Sequence, residues 1–519
     1  MGATMPHSEG TKTPPNGTGG THQLPNVILI TVDAFNYDLF MANLDSLPNL
    51  KRLRAESVSF DNAFSIGPST FFAFPGIIAS VYPHSFGIGI DNHVRSIDEV
   101  LKECGYRTAQ INECNALLTP FYGYGRGTDY QQHFLNLSHV DADRKLVGTF
   151  MRRTGGADAT RAQRQEYLMR RLYRKVDRTW IGKFGRDLSH LGKFLRLYLT
   201  SNTESFKERS ELHRRFREEL LEFISDRFQR PQFLFIHSIA NHLPYFPPED
   251  SNRFDEREID YLNYRGLSGF VNRGVCTRLK DLYVESLRST DRLIGEVLEA
   301  LRTKSLLERS IVVLTADHGE EFMEEGYFGH TDESSSDRLL HVPLIFYCPS
   351  LFKPKTVAVP VSTIDIVPTI CDLVGSPTPD TCRGVSLRPI AQAASERPEL
   401  DQAFWERPVF SEAWDTAGLL DRSPGYNSGR QIFTVRKGQH RLKAIRHSKK
   451  GQVIGEELEL ANWTTGERLD LSDNARTVQE LRQLLDEHIV VEGAFARTMH
   501  ARAEQQRMRK VARAIRPGS

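Results

Sequence analysis

Two apolar runs far apart in the chain, PNVILITVD at 25–33 and SIVVLTADHGEEF at 310–322, are built alike: aliphatic and β-branched residues for the length of one strand, then an aspartate. A run with no polar alternation has to be covered on both faces, which is how strands of a parallel sheet read. In open α/β sheets ligands gather where such strands end, because the connecting loops form a crevice there. The second run ends in Asp317, His318 and Gly319, and an acid beside an imidazole suits a hard or borderline cation. Taken alone, the pair also reads as a helix cap, with Asp317 leading a turn through Glu320 and Phe322 and His318 satisfied by a backbone carbonyl.

Between these runs helices and strands alternate. SIDEVLKECGYRTAQINE (96–113) reads as a helix stopped by Gly105 and then a strand; FLFIHSIANHLPYFPP (233–248) is a strand ending at His237 with His242 in a Pro-rich loop. Residues 278–308 read as a long helix, HVPLIFYCPS (341–350) as a strand and VSTIDIVPTICDLVG (361–375) as a capped helix. That alternation predicts a mainly parallel sheet with helices on its faces. GPSTFFAFPGIIASVYP (67–83) opens on a turn, and Ser69 or Thr70 is an N-cap for the apolar helix that follows. A hydroxyl there faces free N–H groups and the positive end of the helix dipole, so it reads either as a plain cap or as a nucleophile that will carry an anionic group. His242 likewise reads as a functional loop histidine or as a structural imidazole.

Residues 1–24 are polar and rich in Gly, Pro and Thr, and read as a disordered tail without the apolar core of a secretory signal. The chain therefore reads as cytoplasmic. A main α/β unit is expected over 25–400, interrupted by charge-dense helical sequence at 140–230. Residues 377–408 read as a Pro-rich connection. A smaller unit follows over 401–519, with short alternating strands and a helix at 478–491. Within the insertion, 170–197 holds nine Lys or Arg against two acids, which suits a solvated helix face, a cover over an anionic substrate or peripheral contact with a membrane surface.

The net charge of +1 gives no reason to expect nucleic acid, and no 18-residue apolar run predicts a transmembrane helix. Six cysteines in 519 residues, with no CxxC, read as reduced thiols, Cys371 and Cys382 being the one pair spaced for a bridge.

The segments PNVILITVD, PSTFFAFPGIIASVYP, IDEVLKECGYRTA, FLFIHSIANHLPYFPP, DRLIGEVLEAL, IVVLTADHGEEF, FGH (328–330), HVPLIFYCP, VSTIDIVPTICDLVG and GVSL (384–387) together resemble the sulfatase family of the alkaline phosphatase superfamily, in the family's order. The resemblance implies a three-layer α/β/α sandwich around a mostly parallel mixed sheet, with a small C-terminal α+β subdomain. It also implies one divalent metal ion, manganese, zinc, magnesium or calcium, held by Asp33, Asp317 and His318 with the Thr70 oxygen. Thr70 falls at the family's nucleophile position, because its distance to Ser80 and Pro83 matches that of the nucleophile to the Gly and Pro of the family motif. His242 matches the imidazole that contacts the transferred group, and His330 lies near a recurrent histidine that protonates the leaving group.

Two departures stand out. Sulfatases convert a Cys or Ser within C/S-x-P-x-R to formylglycine, and the equivalent residues here are Thr70, Phe72 and Phe74; threonine does not undergo that conversion. The family's metal pair begins Asp-Asp, and here the second position is Ala34. The pattern is similar to single-metal phosphotransferases and phosphodiesterases of the same superfamily. The chain is thus expected to hydrolyse an anionic sulfate or phosphate ester, with phosphoryl transfer to an alcohol or a catalytically degenerate binding role toward anionic sugars or lipids as alternatives.

Overall fold

The computed structural model describes residues 24–83, 89–90, 93–113, 115, 117–134, 204–267, 269, 271–330, 334–393, 397–414, 429–449 and 452–515. Of the tail at 1–24 and the charge-dense insertion at 140–230, residues 1–23 and 140–203, with the basic stretch 170–197, lie outside them, while the rest of the insertion begins with the helix Glu204–Glu222. Among the described residues no helix is long and apolar enough to cross a membrane.

The strands are β1 (Asn26–Val32), β2 (Val58–Phe64), β3 (Arg107–Asn112), β4 (Tyr130–His133), β5 (Gln232–Ser238), β6 (Ser310–Ala316), β7 (Glu321–Phe322), β8 (Phe328–Gly329), β9 (His341–Tyr347), β10 (Lys355–Val357) and β11 (Val361–Ser362). Those of the main sheet are ordered β10-β2-β9-β6-β1-β5-β3-β4, with β11 also on β2. β9 alone runs against its neighbours, antiparallel to both β2 and β6, while the other pairs are parallel.

Both faces of this sheet are buried. Along β1, Ile28, Ile30 and Val32 join the core under the helices Arg273–Thr303 and Pro48–Ala55, while Val27 and Leu29 point into the core under Thr70–Ala79 and Ile366–Val374. Continuous apolar strands and a two-sided cover are the same fact seen in sequence and in space, and the result is a three-layer α/β/α sandwich.

The stretch 377–408 is more than a connection. It forms two short helices, Arg388–Gln392 and Pro398–Trp405, each with a proline in its first turn, where the missing N–H has no intrahelical role. Cys371 and Cys382 are both free thiols.

A second sheet follows, of antiparallel strands in the order β12 (Val409–Trp414), β13 (Gly429–Lys437), β14 (His440–Lys449), β15 (Gln452–Asn462) and β16 (Glu467–Leu469). Its two faces differ in kind. Phe433, Val435, Leu442, Ala444 and Leu460 pack on Leu481 and Leu485 of the helix Ala475–Ile515. The alternate positions turn charge toward the main unit: Arg436 and Arg441 are directly opposed across β13 and β14, and both bind Asp337, Arg441 Nη1 at 2.7 Å. The Arg436 guanidinium also lies over the Phe64 ring, 4.1 Å from its centroid.

Candidate active site

Register builds the site. β1 and β6 pair in parallel up to Val32 and Ala316, so the next residues, Asp33 and Asp317, leave the sheet side by side at its carboxyl edge. β5 joins them, its Ser238 carbonyl accepting the Asp33 N–H at 2.8 Å. Ala34 then takes a left-handed backbone, φ 56°, which is uncommon for a residue with a Cβ. Hydrogen bonds hold it there. Its N–H donates to Asp317 Oδ1 at 3.3 Å and its carbonyl accepts the Tyr283 hydroxyl at 2.7 Å. Gly319 is required by space: a Cβ there would lie 2.0 Å from the Arg338 carbonyl, and its N–H donates to Leu339 O at 2.8 Å.

Thr70 arrives from the other side. β2 ends at Phe64, the chain turns, and Ser69 takes the N-cap position in an extended conformation, so Thr70 is the first residue of the helix Thr70–Ala79. Its hydroxyl donates to Asp317 Oδ2 at 2.9 Å rather than capping the helix. Apart from Phe71 every residue of this helix is buried, and it ends on Ser80 with φ 55°, a conformation that favours glycine. Ser80 stands where the resembling family has a glycine, and its backbone takes the glycine-like turn.

His318 completes a trio with the two aspartates. Its Nδ1 lies 2.8 Å from the Gly319 carbonyl, which can only accept, so Nδ1 carries the proton and Nε2 presents a lone pair. That lone pair lies 3.4 Å from Asp33 Oδ1 and 3.5 Å from Asp317 Oδ2. Neither Asp33 Oδ1 nor His318 Nε2 has a hydrogen-bond partner among the described residues, although both are buried. One ligand atom from each of Asp33, Asp317 and His318 falls within 4.8 Å of the others.

Two buried acceptors, Asp33 Oδ1 and His318 Nε2, face each other without a hydrogen-bond partner among the described residues, beside Asp317, an arrangement that suits a positive charge. Their electrostatics say the same. Burial opposes ionisation of Asp33, yet His242 and the His237 hydrogen bond hold its carboxyl well below the usual range. Burial, and then the nearby Asp33 charge, push Asp317 well above it. Burial followed by His330 lowers His318 to about 3, leaving it neutral as a ligand must be. These residues fit a divalent cation.

The site's second ring is imidazole-rich. No helix forms after Gly319; instead β7 and β8 make a short hairpin that returns the chain to His330. The His330 ring lies 4.3 Å from that of His318 and 4.8 Å from that of His242, centroid to centroid. Burial, chiefly, lowers the His242 pKa. Burial also disfavours a charged His330, but the Glu320 carboxylate at 3.0 Å outweighs it and raises the group to about 9.

Three residues here were not picked out from sequence. Glu320 is one, fully buried beneath His330. Asn115 and His237 are the others: Asn115 Nδ2 donates to Asp33 Oδ2 at 3.2 Å, and His237 Nε2 lies 3.4 Å from the same oxygen. His237 had a signal, an imidazole ending an apolar strand, but Asn115 had none.

At the two positions where the family motif carries proline and arginine, Phe72 and Phe74 are buried. Phe72 packs edge-on against Trp414 of β12 at 4.5 Å, and Phe74 against His237 at 5.1 Å.

The profile of the family described as Sulfatase matches residues 25–376. Arylsulfatase K of Rattus norvegicus is 24% identical over 443 residues, spanning 80% of this chain and 70% of that protein. Arylsulfatase K of Bos taurus is 24% identical over 456 residues, 84% of this chain and 76% of that one. Among solved structures, the phosphonate monoester hydrolase of Silicibacter pomeroyi superposes with a TM-score of 0.59 at 16% identity, covering 90% of this chain and 94% of that chain. The phosphonate monoester hydrolase of Agrobacterium radiobacter gives 0.59 at 13% identity, with 91% and 96% covered. These two likenesses establish the alkaline phosphatase-like fold.

Proposed function

This chain belongs to the sulfatase family, and from that premise we propose that it hydrolyses an anionic ester, sulfate or phosphate, with Thr70 as nucleophile. The observation that carries the reading is the Thr70 hydroxyl set 2.9 Å from Asp317 Oδ2, at the edge of a trio in which Asp33 Oδ1 and His318 Nε2 have no hydrogen-bond partner among the described residues. A divalent cation held by Asp33, Asp317 and His318 supplies two things when bound: it lowers the pKa of the Thr70 hydroxyl, and it neutralises charge building on the ester oxygens.

The chain's own groups do the rest. Thr70 Oγ1 forms a bond to sulfur or phosphorus as its proton passes to the Asp317 carboxylate it already donates to. The bond to the leaving oxygen breaks with its electron pair on that oxygen. His330, which Glu320 disposes toward the protonated form, donates a proton there, and His242 holds the nonbridging oxygens. Neutral His330 then takes a proton from the water that attacks at sulfur or phosphorus, the bond to Thr70 Oγ1 breaks onto that oxygen, and Oγ1 takes its proton back from Asp317, which restores the hydroxyl.

Threonine favours one refinement. It has a single oxygen on its β-carbon and cannot expel the bound group from that carbon, so its ester has to be opened by a second attack at sulfur or phosphorus. Phosphoesters tolerate that route well, and an alcohol in place of water turns hydrolysis into phosphoryl transfer. The phosphonate monoester hydrolases among the structural neighbours are in keeping with this preference.

The test is a side-by-side assay of nitrophenyl sulfate, phosphate and phosphodiester with manganese, zinc, magnesium or calcium added in turn, alongside metal analysis of the purified protein. Turnover of any one ester, dependent on the ion and on Thr70, supports the reading. Failure on all of them, with no stoichiometric metal retained, favours a binding protein for anionic sugars or lipids.

A further inference from the structure

His330 is held from behind by a buried relay. Its Nδ1 lies 3.0 Å from Glu320 Oε1, and the other oxygen of that carboxylate accepts the Tyr245 hydroxyl at 2.9 Å. Glu320 and Tyr245 are both fully buried. Tyr245 cannot drift: the Asn263 side chain takes its N–H at 2.8 Å and gives an N–H to its carbonyl at 3.0 Å, and its ring packs edge-on against Tyr283 at 5.3 Å. The Glu320 backbone is pinned as well, its carbonyl accepting Asn36 Nδ2 at 2.8 Å.

A carboxylate buried with one tyrosine and one imidazole as its side-chain hydrogen-bond partners is arranged to orient the imidazole. We propose that Glu320, backed by Tyr245, is the positioning residue for His330: it fixes the proton on Nδ1 and the plane of the ring, so that Nε2 is the nitrogen presented to the leaving oxygen. The inference rests on the reading of His330 as proton donor given above. In the transfer, the proton moves from Nε2 to the leaving oxygen as the ester bond breaks onto that oxygen. Glu320 keeps its hydrogen bond to Nδ1 throughout. The geometry follows the logic of other carboxylate–imidazole pairs, in which the acid selects the tautomer and steadies the cation.

Glu320→Gln is nearly isosteric, and Tyr245→Phe keeps the ring packing, so the two variants together guard against misfolding. Each is assayed on a nitrophenyl ester, whose leaving group needs little protonation, and on the matching phenyl ester, whose leaving group needs more. We expect Glu320→Gln to lower kcat on the phenyl ester roughly 10- to 100-fold more than on the nitrophenyl ester, with KM little changed, and Tyr245→Phe to show a smaller effect of the same kind.

An equal loss on both esters, or no loss in either variant, overturns the assignment, since a merely structural role does not discriminate between leaving groups. His330→Gln separates the levels of the argument. If it discriminates and Glu320→Gln does not, only this inference falls; if His330→Gln itself is indifferent to the leaving group, the parent reading of His330 fails and takes this one with it.

Discussion

Thr70 Oγ1 and Asp317 Oδ2 are 2.9 Å apart although 247 positions separate them in sequence, and the hydroxyl spends its one proton on that aspartate. If this contact sets up the attack, Thr70→Ala removes turnover by roughly 10³-fold or more while sparing metal content, because the three-residue ligand set stays intact. Thr70→Ser keeps the oxygen and retains measurable activity. Steady-state kinetics with metal analysis on both variants checks this, and an active Thr70→Ala enzyme rules out the role.

Ion binding reports on the trio directly. Asp33 Oδ1 and His318 Nε2 face each other without a donor, so a cation that binds only the folded chain raises its stability, by about 2.7 kcal/mol at a hundredfold excess over the dissociation constant. Thermal unfolding with added manganese, zinc, magnesium or calcium measures the gain, and a chelator reverses it. Asp33→Asn loses most of the response.

Phe72 stands where the family motif has proline, and it joins the helix Thr70–Ala79 to strand β12 through Trp414. The ring is almost fully buried and meets the indole edge-on at 4.5 Å. Phe72→Ala is expected to cost about 3–5 kcal/mol, within the usual range for deleting a buried aromatic side chain. Denaturant midpoints give the figure. A cost below about 1 kcal/mol means that the two parts are not joined there.

Asp337 supplies a pH signature remote from the chemistry. Burial alone raises its pKa, but Arg436 and Arg441 outweigh it and bring the carboxyl down to about 2. A depressed carboxylate contributes stability that is complete above its unfolded value, near 4, and is lost as pH falls through the folded one. Wild type should therefore lose stability between about pH 4 and 2 more steeply than Asp337→Asn. At neutral pH the variant is expected to be weaker by about 3 kcal/mol, the low end for breaking a buried pair, since Asp337 keeps a 35% exposed side chain. Parallel acid titration curves for the two proteins argue against the pairing.

What the sequence revealed, and what it withheld, follows from how local each signal is. β1 and β6 were legible because a strand covered on both faces has to be apolar throughout, and Asp33 and Asp317 were legible as the points where that pattern stops. Strand direction is not encoded in composition, so nothing in HVPLIFY showed that β9 runs against its neighbours. Proline in 377–408 suggested an open connection, yet at a first helical turn the same residue starts a helix. Glu320 was hidden by its surroundings: next to Asp317 and Gly319 it looked like part of a helical turn, and only the β7–β8 hairpin shows that it reaches forward to His330.

The charged face of the C-terminal sheet bears on where this protein can be cut. A truncation before β13 would not liberate a smaller enzyme: it would strip Asp337 of both its cations and uncover the face of the Phe64 ring that Arg436 covers, beside the turn that leads to Thr70. Expression boundaries drawn at the end of the family match, residue 376, are therefore expected to yield a less stable protein, even though Asp33, Asp317 and His318 are all retained.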